Sequence, residues 1–207
     1  MSTTTPPTGR WPARALAYLR RSWRSHLGTV LVALAAMLAV NAWQTRAVPS
    51  GLAPDFSGTV LLGPGALPVT GTAGTAGSGG VAHGAELSLS EWRAAHPGRP
   101  VAIHIWAEWC PFCKLEEGSV TRVAADWPVL TVASRSGNAA QVTRYMARQQ
   151  LPWVASLDPK GDVSKAYGLT SVPAWVVLDA NGHIRSVASG YTTELGMRAR
   201  LWWASMF

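Results

Sequence analysis

The feature that most constrains the fold of this 207-residue chain is the position of its two cysteines, Cys110 and Cys113. They lie in the segment 106–114, which reads Trp-Ala-Glu-Trp-Cys-Pro-Phe-Cys-Lys and follows an apolar run at 101–105. Such a run is typical of a strand that is buried on both faces of a sheet. The residues after Cys110 favour a helix, and Pro111 suits its first turn because the missing N–H would be unpaired there. The sequence therefore predicts a buried strand that leads through the cysteine pair into a helix.

The spacing of the cysteines indicates the chemistry they support. One helical turn separates them, so the two sulfurs can close a small disulfide ring. A helix N-terminus favours an anion, which predicts that Cys110 is the attacking thiolate and that Cys113 resolves the mixed disulfide. A static disulfide across so short a loop would add little stability. We therefore interpret the two cysteines as a redox pair.

A metal site is the main alternative for the pair. Zinc would require two more ligands, and the five histidines of the chain are scattered without a paired spacing. Cu(I) binding is kept as an alternative function because thiolates suit that ion. The preferred interpretation needs neither a metal nor another cofactor.

Hydrophobic periodicity divides the compact part of the chain, predicted at 86–207, into strands and helices. Strands are predicted at 100–106, 128–133 and in a hairpin at 174–189, and helices at 90–96, 110–127, 138–150, 163–167 and 193–206. Parallel strands joined by helices and followed by a hairpin give a mixed sheet with helices on both faces. The predicted fold class is α/β. Trp202 and Trp203 are expected to be packing residues of the last helix, with a membrane contact as the alternative.

The N-terminal segment has the composition of a membrane anchor. Residues 1–26 carry five arginines and no acidic residue, and the next 17 residues, 27–43, carry no formal charge. At about 1.5 Å per residue, this run is at the short end of what spans a bilayer. The arginines predict a cytoplasmic N-terminus, with the remainder of the chain on the other side. A cleavable signal peptide is the alternative, and it delivers the chain to the same compartment, where disulfides persist.

The segment that follows is predicted to be a linker. Residues 44–85 are rich in Gly, Pro, Thr, Ala and Ser, with a Gly-rich run at 71–80, so a flexible tether is expected. The apolar residues at 56–62 predict a short edge strand or hairpin arm within this linker. From Glu86 onward, 12 basic and 10 acidic residues nearly cancel, so the net charge of +7 belongs mainly to the N-terminal segment. This distribution argues against nucleic-acid binding.

Segment 106–114 resembles the active-site signature of the thioredoxin superfamily, and the tethered layout is similar to its TlpA-like branch. Segments 129–137 and 190–202, with the Val172-Pro173 step, most resemble protein disulfide oxidoreductases of the suppressor-of-copper-sensitivity D (ScsD-like) type. The resemblance implies a thioredoxin-like fold over about 86–207. It also implies a bacterial inner-membrane protein with a periplasmic catalytic domain that reduces disulfides in exported client proteins. Its electron donor would be a membrane carrier of the DsbD or ScsB kind.

The resemblance further implies roles for residues near the cysteines. Pro173 would follow a cis peptide bond and face the cysteines, and Val172 would pair with the client backbone. Trp109, Pro111 and Phe112 are expected to form the client-binding surface. His104 lies where classical thioredoxins carry a buried acid. As a hypothesis, it assists proton transfer to or from Cys113 in the pH range where imidazole titrates.

One position departs from a related group. In the sister group that reduces apocytochrome c, a glutamate usually follows the cis-proline, whereas this chain has Ala174. Cytochrome c maturation is therefore an alternative function and not the preferred one.

Overall fold

The computed structural model describes residues 13–66 and 83–207. The Gly-rich run at 71–80, which the sequence predicts to be a flexible tether, lies outside the described residues. The chain forms two compact units, one that ends at Trp43 and one from Gln44 to Phe207.

The described residues of the first unit belong to one long helix, α1 (Ala13–Gln44). Within the described ranges it is the one helix that is long and apolar enough to cross a membrane, over His26–Gln44. This stretch contains the apolar run at 27–43 on which the predicted anchor depends.

The second unit is built on one seven-stranded sheet. Its strands are β1 (Ser57–Leu62), β2 (Glu86–Ser88), β3 (Val101–Trp106), β4 (Val129–Ser134), β5 (Val154–Asp158), β6 (Ala174–Leu178) and β7 (Ile184–Ser189). They lie in the order β2-β1-β5-β4-β3-β6-β7. The three central strands β5, β4 and β3 are parallel, and the pairings outside them are antiparallel. The predicted mixed sheet of an α/β domain is confirmed.

Five helices cover the two faces of the sheet: α2 (Leu89–Ala94), α3 (Pro111–Ala124), α4 (Ala139–Gln149), α5 (Asp162–Ala166) and α6 (Glu194–Ala204). Alternate residues of β3 face opposite sides because side chains in a strand alternate. Trp106 contributes to the core shared with α3, α4 and α6, whereas Ile103 and Ile105 contribute to the core shared with α2 and α5. This central strand is buried throughout and ends directly before the cysteine segment.

Side-chain caps fix where the helices begin. Ser88 and Glu91 form a reciprocal capping box at the start of α2, and Asn138 and Gln141 form another at the start of α4. Each box satisfies backbone N–H groups that have no partner inside the helix.

The segment before residue 86 differs from the predicted linker. Residues 57–62 form β1, which pairs with β2 in an antiparallel manner and lies inside the sheet, between β2 and β5, instead of at its edge. Val60 and Leu61 are buried in opposite cores. A Cβ atom at Gly63 would lie 1.9 Å from the carbonyl oxygen of Leu151, so the chain approaches the start of β5 closely. The folded unit therefore begins well before residue 86, because this segment supplies both backbone pairing and core side chains.

Two further details differ from the sequence-based expectations. Strand β5 was not predicted, although it is the third parallel strand of the sheet. Trp202 and Trp203 were expected to be packing residues of α6, yet they are 62% and 51% exposed. The buried face of α6 is formed instead by Met197, Leu201 and Ala204.

Candidate active site

Cys110 caps the N-terminus of α3. Its backbone is extended, with φ −83° and ψ 116°, and its sulfur accepts a hydrogen bond from the backbone N–H of Cys113 at 3.4 Å. Pro111 occupies the first helical position, where no intrahelical N–H bond is lost. The sulfur of Cys110 is thus held at the positive end of the helix dipole, where a negative charge is favoured.

The loop before β6 faces this sulfur. The Val172–Pro173 peptide bond is cis, as the sequence predicts. The thiol of Cys110 donates to the carbonyl oxygen of Val172, with 3.6 Å between the sulfur and the oxygen. The structure therefore brings the cysteine segment and the proline step to one edge of the sheet, where β3 ends and β6 begins.

Cys113 lies on the buried face of α3. Both cysteines are free thiols, and Cys113 is 2% exposed. Burial raises the pKa of the Cys113 thiol, and the hydrogen bond with Cys110 and the nearby charge of Glu116 act in the same direction. Cys113 consequently needs a proton acceptor before it can attack as a thiolate.

Glu116 is a site residue that was not among the sequence predictions. It lies one helical turn beyond Cys113 on α3 and is 1% exposed. Its carboxylate accepts a hydrogen bond from the backbone N–H of Thr192. Burial raises the pKa of Glu116 to about 7, although the Thr192 bond opposes the shift. A spacing of three residues from Cys113 on a predicted helix was the available signal, since i and i+3 share a face.

His104 lies apart from the hydrogen bonds of the cysteine segment. It is fully buried, its ring centroid lies 5.9 Å from that of Trp153 and 5.7 Å from that of Trp175, and neither ring nitrogen has a hydrogen-bond partner. Burial lowers the pKa of His104 to about 3. The imidazole is therefore neutral at the pH values where the hypothesis of proton transfer requires it to titrate.

The two tryptophans that flank the motif have different environments. Trp106 is buried and packs against the rings of Tyr145 and Trp153. Trp109 is 60% exposed, and its indole N–H donates to the carbonyl oxygen of Arg135 at 3.0 Å. An exposed ring that is held by a hydrogen bond presents apolar surface in a fixed orientation. Trp106 therefore packs in the core below the cysteine segment, whereas the ring of Trp109 lies on the surface, where a partner can contact it.

Other apolar side chains near the motif are also exposed. Phe112 and Leu115 project from the first turns of α3, and Tyr191 precedes Thr192, the residue whose N–H binds Glu116. These residues extend the apolar surface around Cys110 from the loop of Trp109 towards α6.

Comparison with known proteins assigns the chain to a family. The profile of the Redoxin family matches residues 52–200, a range that includes β1 and the whole cysteine segment. The chain belongs to the Redoxin family.

Redoxin relatives with curated names are similar over part of their length. A thioredoxin-like protein of Haemophilus influenzae is 29% identical over 110 residues, which cover 53% of this chain and 65% of that protein. The thiol:disulfide interchange protein DsbE of Pseudomonas aeruginosa is 25% identical over 105 residues, which cover 50% and 58%. The chain thus spans less than two thirds of the length of these two relatives.

Solved structures share the fold of this Redoxin domain. A secreted thiol-disulfide isomerase from Corynebacterium glutamicum superposes with a TM-score of 0.58 at 16% identity, covering 75% of this chain and 86% of that one. A thiol:disulfide interchange protein of the thioredoxin family from Chlorobium tepidum gives 0.54 at 19% identity, covering 76% and 97%. The thioredoxin-like fold implied by the sequence is confirmed.

The donor groups of the Redoxin site suit thiol chemistry. Within residues 13–66 and 83–207, no group of three or more His, Cys, Asp and Glu side chains is arranged to hold a metal ion. What the site assembles is a sulfur at a helix N-terminus, a second buried sulfur one turn away and a buried carboxyl group beyond it.

Proposed function

We propose that this protein is a thiol:disulfide oxidoreductase whose working groups are the thiols of Cys110 and Cys113. The observation that carries the proposal is the position of the Cys110 sulfur at the N-cap of α3, 3.4 Å from the backbone nitrogen of Cys113 and 3.6 Å from the carbonyl oxygen of Val172. The names of the curated relatives, thioredoxin-like protein and thiol:disulfide interchange protein, support the same class.

The reaction transfers two electrons to a client disulfide. The Cys110 thiolate attacks one client sulfur, so that a mixed disulfide forms and the other client sulfur leaves as a thiolate that takes up a proton. Cys113 then loses its proton and attacks the sulfur of Cys110. This second step releases the remaining client sulfur as a thiol and leaves a Cys110–Cys113 disulfide.

Glu116 is the group we assign to the proton of Cys113. Its carboxyl group is one turn away, and with a pKa of about 7 it exchanges a proton near neutral pH. The raised pKa of the Cys113 thiol makes such an acceptor necessary. Glu116 takes over the role that the sequence hypothesis gave to His104.

The client surface consists of exposed apolar groups around Cys110. Trp109 and Phe112 flank the sulfur, Pro111 restrains the chain between the cysteines, and Val172 offers its backbone beside Pro173. Ala174, after Pro173, is buried and offers no carboxylate to a client. The surface therefore suits a polypeptide segment with apolar residues next to its cysteine.

The family resemblance and the apolar stretch of α1 support a location and a direction for the reaction. We assign the protein to the bacterial inner membrane, with α1 as an uncleaved anchor and the catalytic domain in the periplasm. The favoured direction is reduction of client disulfides, and a membrane carrier of the DsbD or ScsB kind returns the two electrons. Within the family, we assign the protein to the ScsD-like subgroup.

A mixed-disulfide trap tests the proposed function. In Cys113→Ala, the attack by Cys110 still occurs but the resolving thiol is missing, so exported client proteins are expected to accumulate in covalent complexes that reductant releases. The matched control is Cys110→Ala, which retains one buried cysteine and should trap nothing. Equal trapping by both variants, or none by either, would contradict the assignment. Stoichiometric Cu(I) uptake without disulfide reduction would favour the metal-binding alternative.

A further inference from the structure

The far end of the catalytic domain carries an exposed aromatic surface. Opposite to the cysteines, where β3 begins and β6 ends, α6 finishes with Trp202 and Trp203, followed by Met206 and Phe207. All four side chains are at least half exposed. The ring of Trp203 packs against that of Phe207 with their centroids 5.5 Å apart. We call these four residues the terminal aromatic patch.

The patch is joined to the segment that follows the apolar helix. The Arg185 guanidinium lies 4.3 Å from the centroid of the Phe207 ring, and the next residue back, Ile184, donates its backbone N–H to the carbonyl oxygen of Gly51. Leu52 forms a bridge with His183 and is 64% exposed. The chain that enters the domain is therefore fixed to it beside the terminal aromatic patch.

The covalent distance from the membrane-spanning stretch to this point is short. That stretch ends at Gln44, and Gly51 is the seventh residue after it. Seven residues reach about 25 Å at full extension. If α1 spans a bilayer, Gly51 therefore lies within about 25 Å of the end of the spanning stretch, and the patch beside Gly51 can reach the bilayer surface.

Arginine side chains also lie in this part of the catalytic domain. Arg93 and Arg99 donate to the backbone carbonyl oxygens of Ala180 and Asp126, not to carboxylates. Arg185 and Arg198 are matched by Asp179 and Asp126. Two arginine charges are thus left without a carboxylate among the described ion pairs. Exposed Trp and Phe rings, with the Arg185 guanidinium against the ring of Phe207, have a composition that favours the headgroup region of a membrane.

We propose that the terminal aromatic patch rests in the headgroup region of the membrane that holds α1, so that the cysteine edge is turned away from the lipid. This inference rests on the proposed membrane anchoring. It assigns to Trp202 and Trp203 a lipid contact in place of the packing role expected from the sequence. It also gives the domain one preferred orientation, in which Cys110 faces clients in the aqueous phase.

Photolabelling of the full-length protein tests the orientation. The protein is reconstituted in vesicles of phosphatidylethanolamine and phosphatidylglycerol that contain a phospholipid with a photoreactive group near its headgroup. Cleavage after arginine releases residues 25–46, which contain the spanning stretch, and residues 201–207, which contain the patch. Labelled lipid is expected on both peptides.

Variants separate the patch from the anchor. In Trp202→Gln/Trp203→Gln, labelling of 201–207 should be lost while labelling of 25–46 and disulfide reduction persist. Leu195→Gln is the matched control, because Leu195 is exposed on the same helix but at its other end, and it should change neither peptide. If the lipid labels peptide 25–46 of the natural protein but not peptide 201–207, the proposed orientation is wrong, whereas the proposed anchor is retained. No label on either peptide would overturn the anchor and the orientation with it.

Discussion

Glu116 lies one helical turn beyond Cys113 and is fastened to the loop before α6 by the backbone N–H of Thr192. The carboxyl group is therefore held in place by a bond that does not involve the cysteines. Both residues are buried, and the charge of Glu116 helps to raise the pKa of the Cys113 thiol, so the two groups influence each other's ionisation. The arrangement links the second half of the thiol-exchange reaction to the titration of one carboxyl group.

Replacing Glu116 by Gln should alter the pH dependence of the second step. Since the pKa of Glu116 is about 7, the carboxylate is available as a base above that pH and protonated below it. Release of a client thiol from the mixed disulfide should therefore accelerate through pH 7 in the natural protein. In Glu116→Gln, this rise should disappear, with a loss of about 10²-fold at alkaline pH, the lower end of general-base effects.

The measurement is single-turnover release of a chromogenic thiol from a preformed mixed disulfide at Cys110, between pH 5.5 and 8.5. Gln keeps an oxygen that can accept from Thr192, so the loop is retained. Glu117→Gln is the matched control, since Glu117 is the neighbouring carboxylate and bonds to Tyr145 instead. A rise near pH 7 that survives in Glu116→Gln would remove this carboxyl group from the proton pathway.

Trp109 should affect client affinity more than the chemical step. Its ring is exposed and oriented by the bond from its indole N–H to Arg135. In Trp109→Ala, we expect KM for a protein disulfide to rise several-fold while kcat changes little, because apolar docking surface is lost and the sulfurs are untouched. Trp109→Phe retains an aromatic ring without the N–H donor, so its KM should lie between the values of the natural protein and of Trp109→Ala. The three proteins are compared by steady-state reduction of a protein disulfide and of a small aromatic disulfide. A change confined to kcat would contradict a docking role for Trp109.

The sequence predicted the elements that hold the cysteines because their signals are local. The apolar run before Trp106 and the proline at position 111 each indicate a structure within a few residues. By contrast, β1 lies in a segment dominated by Gly, Pro and Thr, and its partner β5 follows about ninety residues later in the chain. Strand β5 spans five residues between two prolines and includes the polar Ser156. Strand β5 is buried because it pairs with β1 on one side and β4 on the other, and these pairings are not visible in the local sequence.

The same distinction applies within the site. The cysteines and Val172-Pro173 carry a recognisable motif, and the structure brings them together. Whether His104 or Glu116 serves the proton of Cys113 depends on tertiary packing: His104 is enclosed by Trp153 and Trp175, whereas Glu116 faces the loop of Thr192. The hypothesis for His104 was based on its position, where classical thioredoxins carry a buried acid, and on the pH range in which imidazole titrates.

Leu61 tests whether β1 belongs to the folded domain. Its side chain is 1% exposed in the core that also contains the cysteines. Truncation of a buried Leu to Ala leaves a cavity and costs about 3 kcal/mol. We therefore expect Leu61→Ala to lower the free energy of unfolding by about that amount in denaturant titrations. Leu52→Ala is the control, since the side chain is 64% exposed and a change below about 0.5 kcal/mol is expected. Equal effects at both positions would place β1 outside the cooperative unit.

His104 should lower the acid stability of the domain. Its pKa is about 3 in the folded protein and near 6.5 in an unfolded chain, so the unfolded state binds the proton more readily. The stabilisation by a neutral His104 is fully present above pH 6.5 and is lost as the pH falls towards 3. Over this window, His104 contributes a decrease of about 1 kcal/mol for each pH unit.

His104→Leu should remove that dependence. At pH 7 we expect the variant to unfold within about 1 kcal/mol of the natural protein, because the swap is similar in size and removes two unpaired ring nitrogens. At pH 4.5 the variant should be the more stable of the two, as measured by urea titration at both pH values. The pH profile of thiol exchange serves as the second measurement: an unchanged profile in His104→Leu agrees with a structural histidine, whereas loss of a transition would restore the hypothesis that this imidazole exchanges a proton with Cys113.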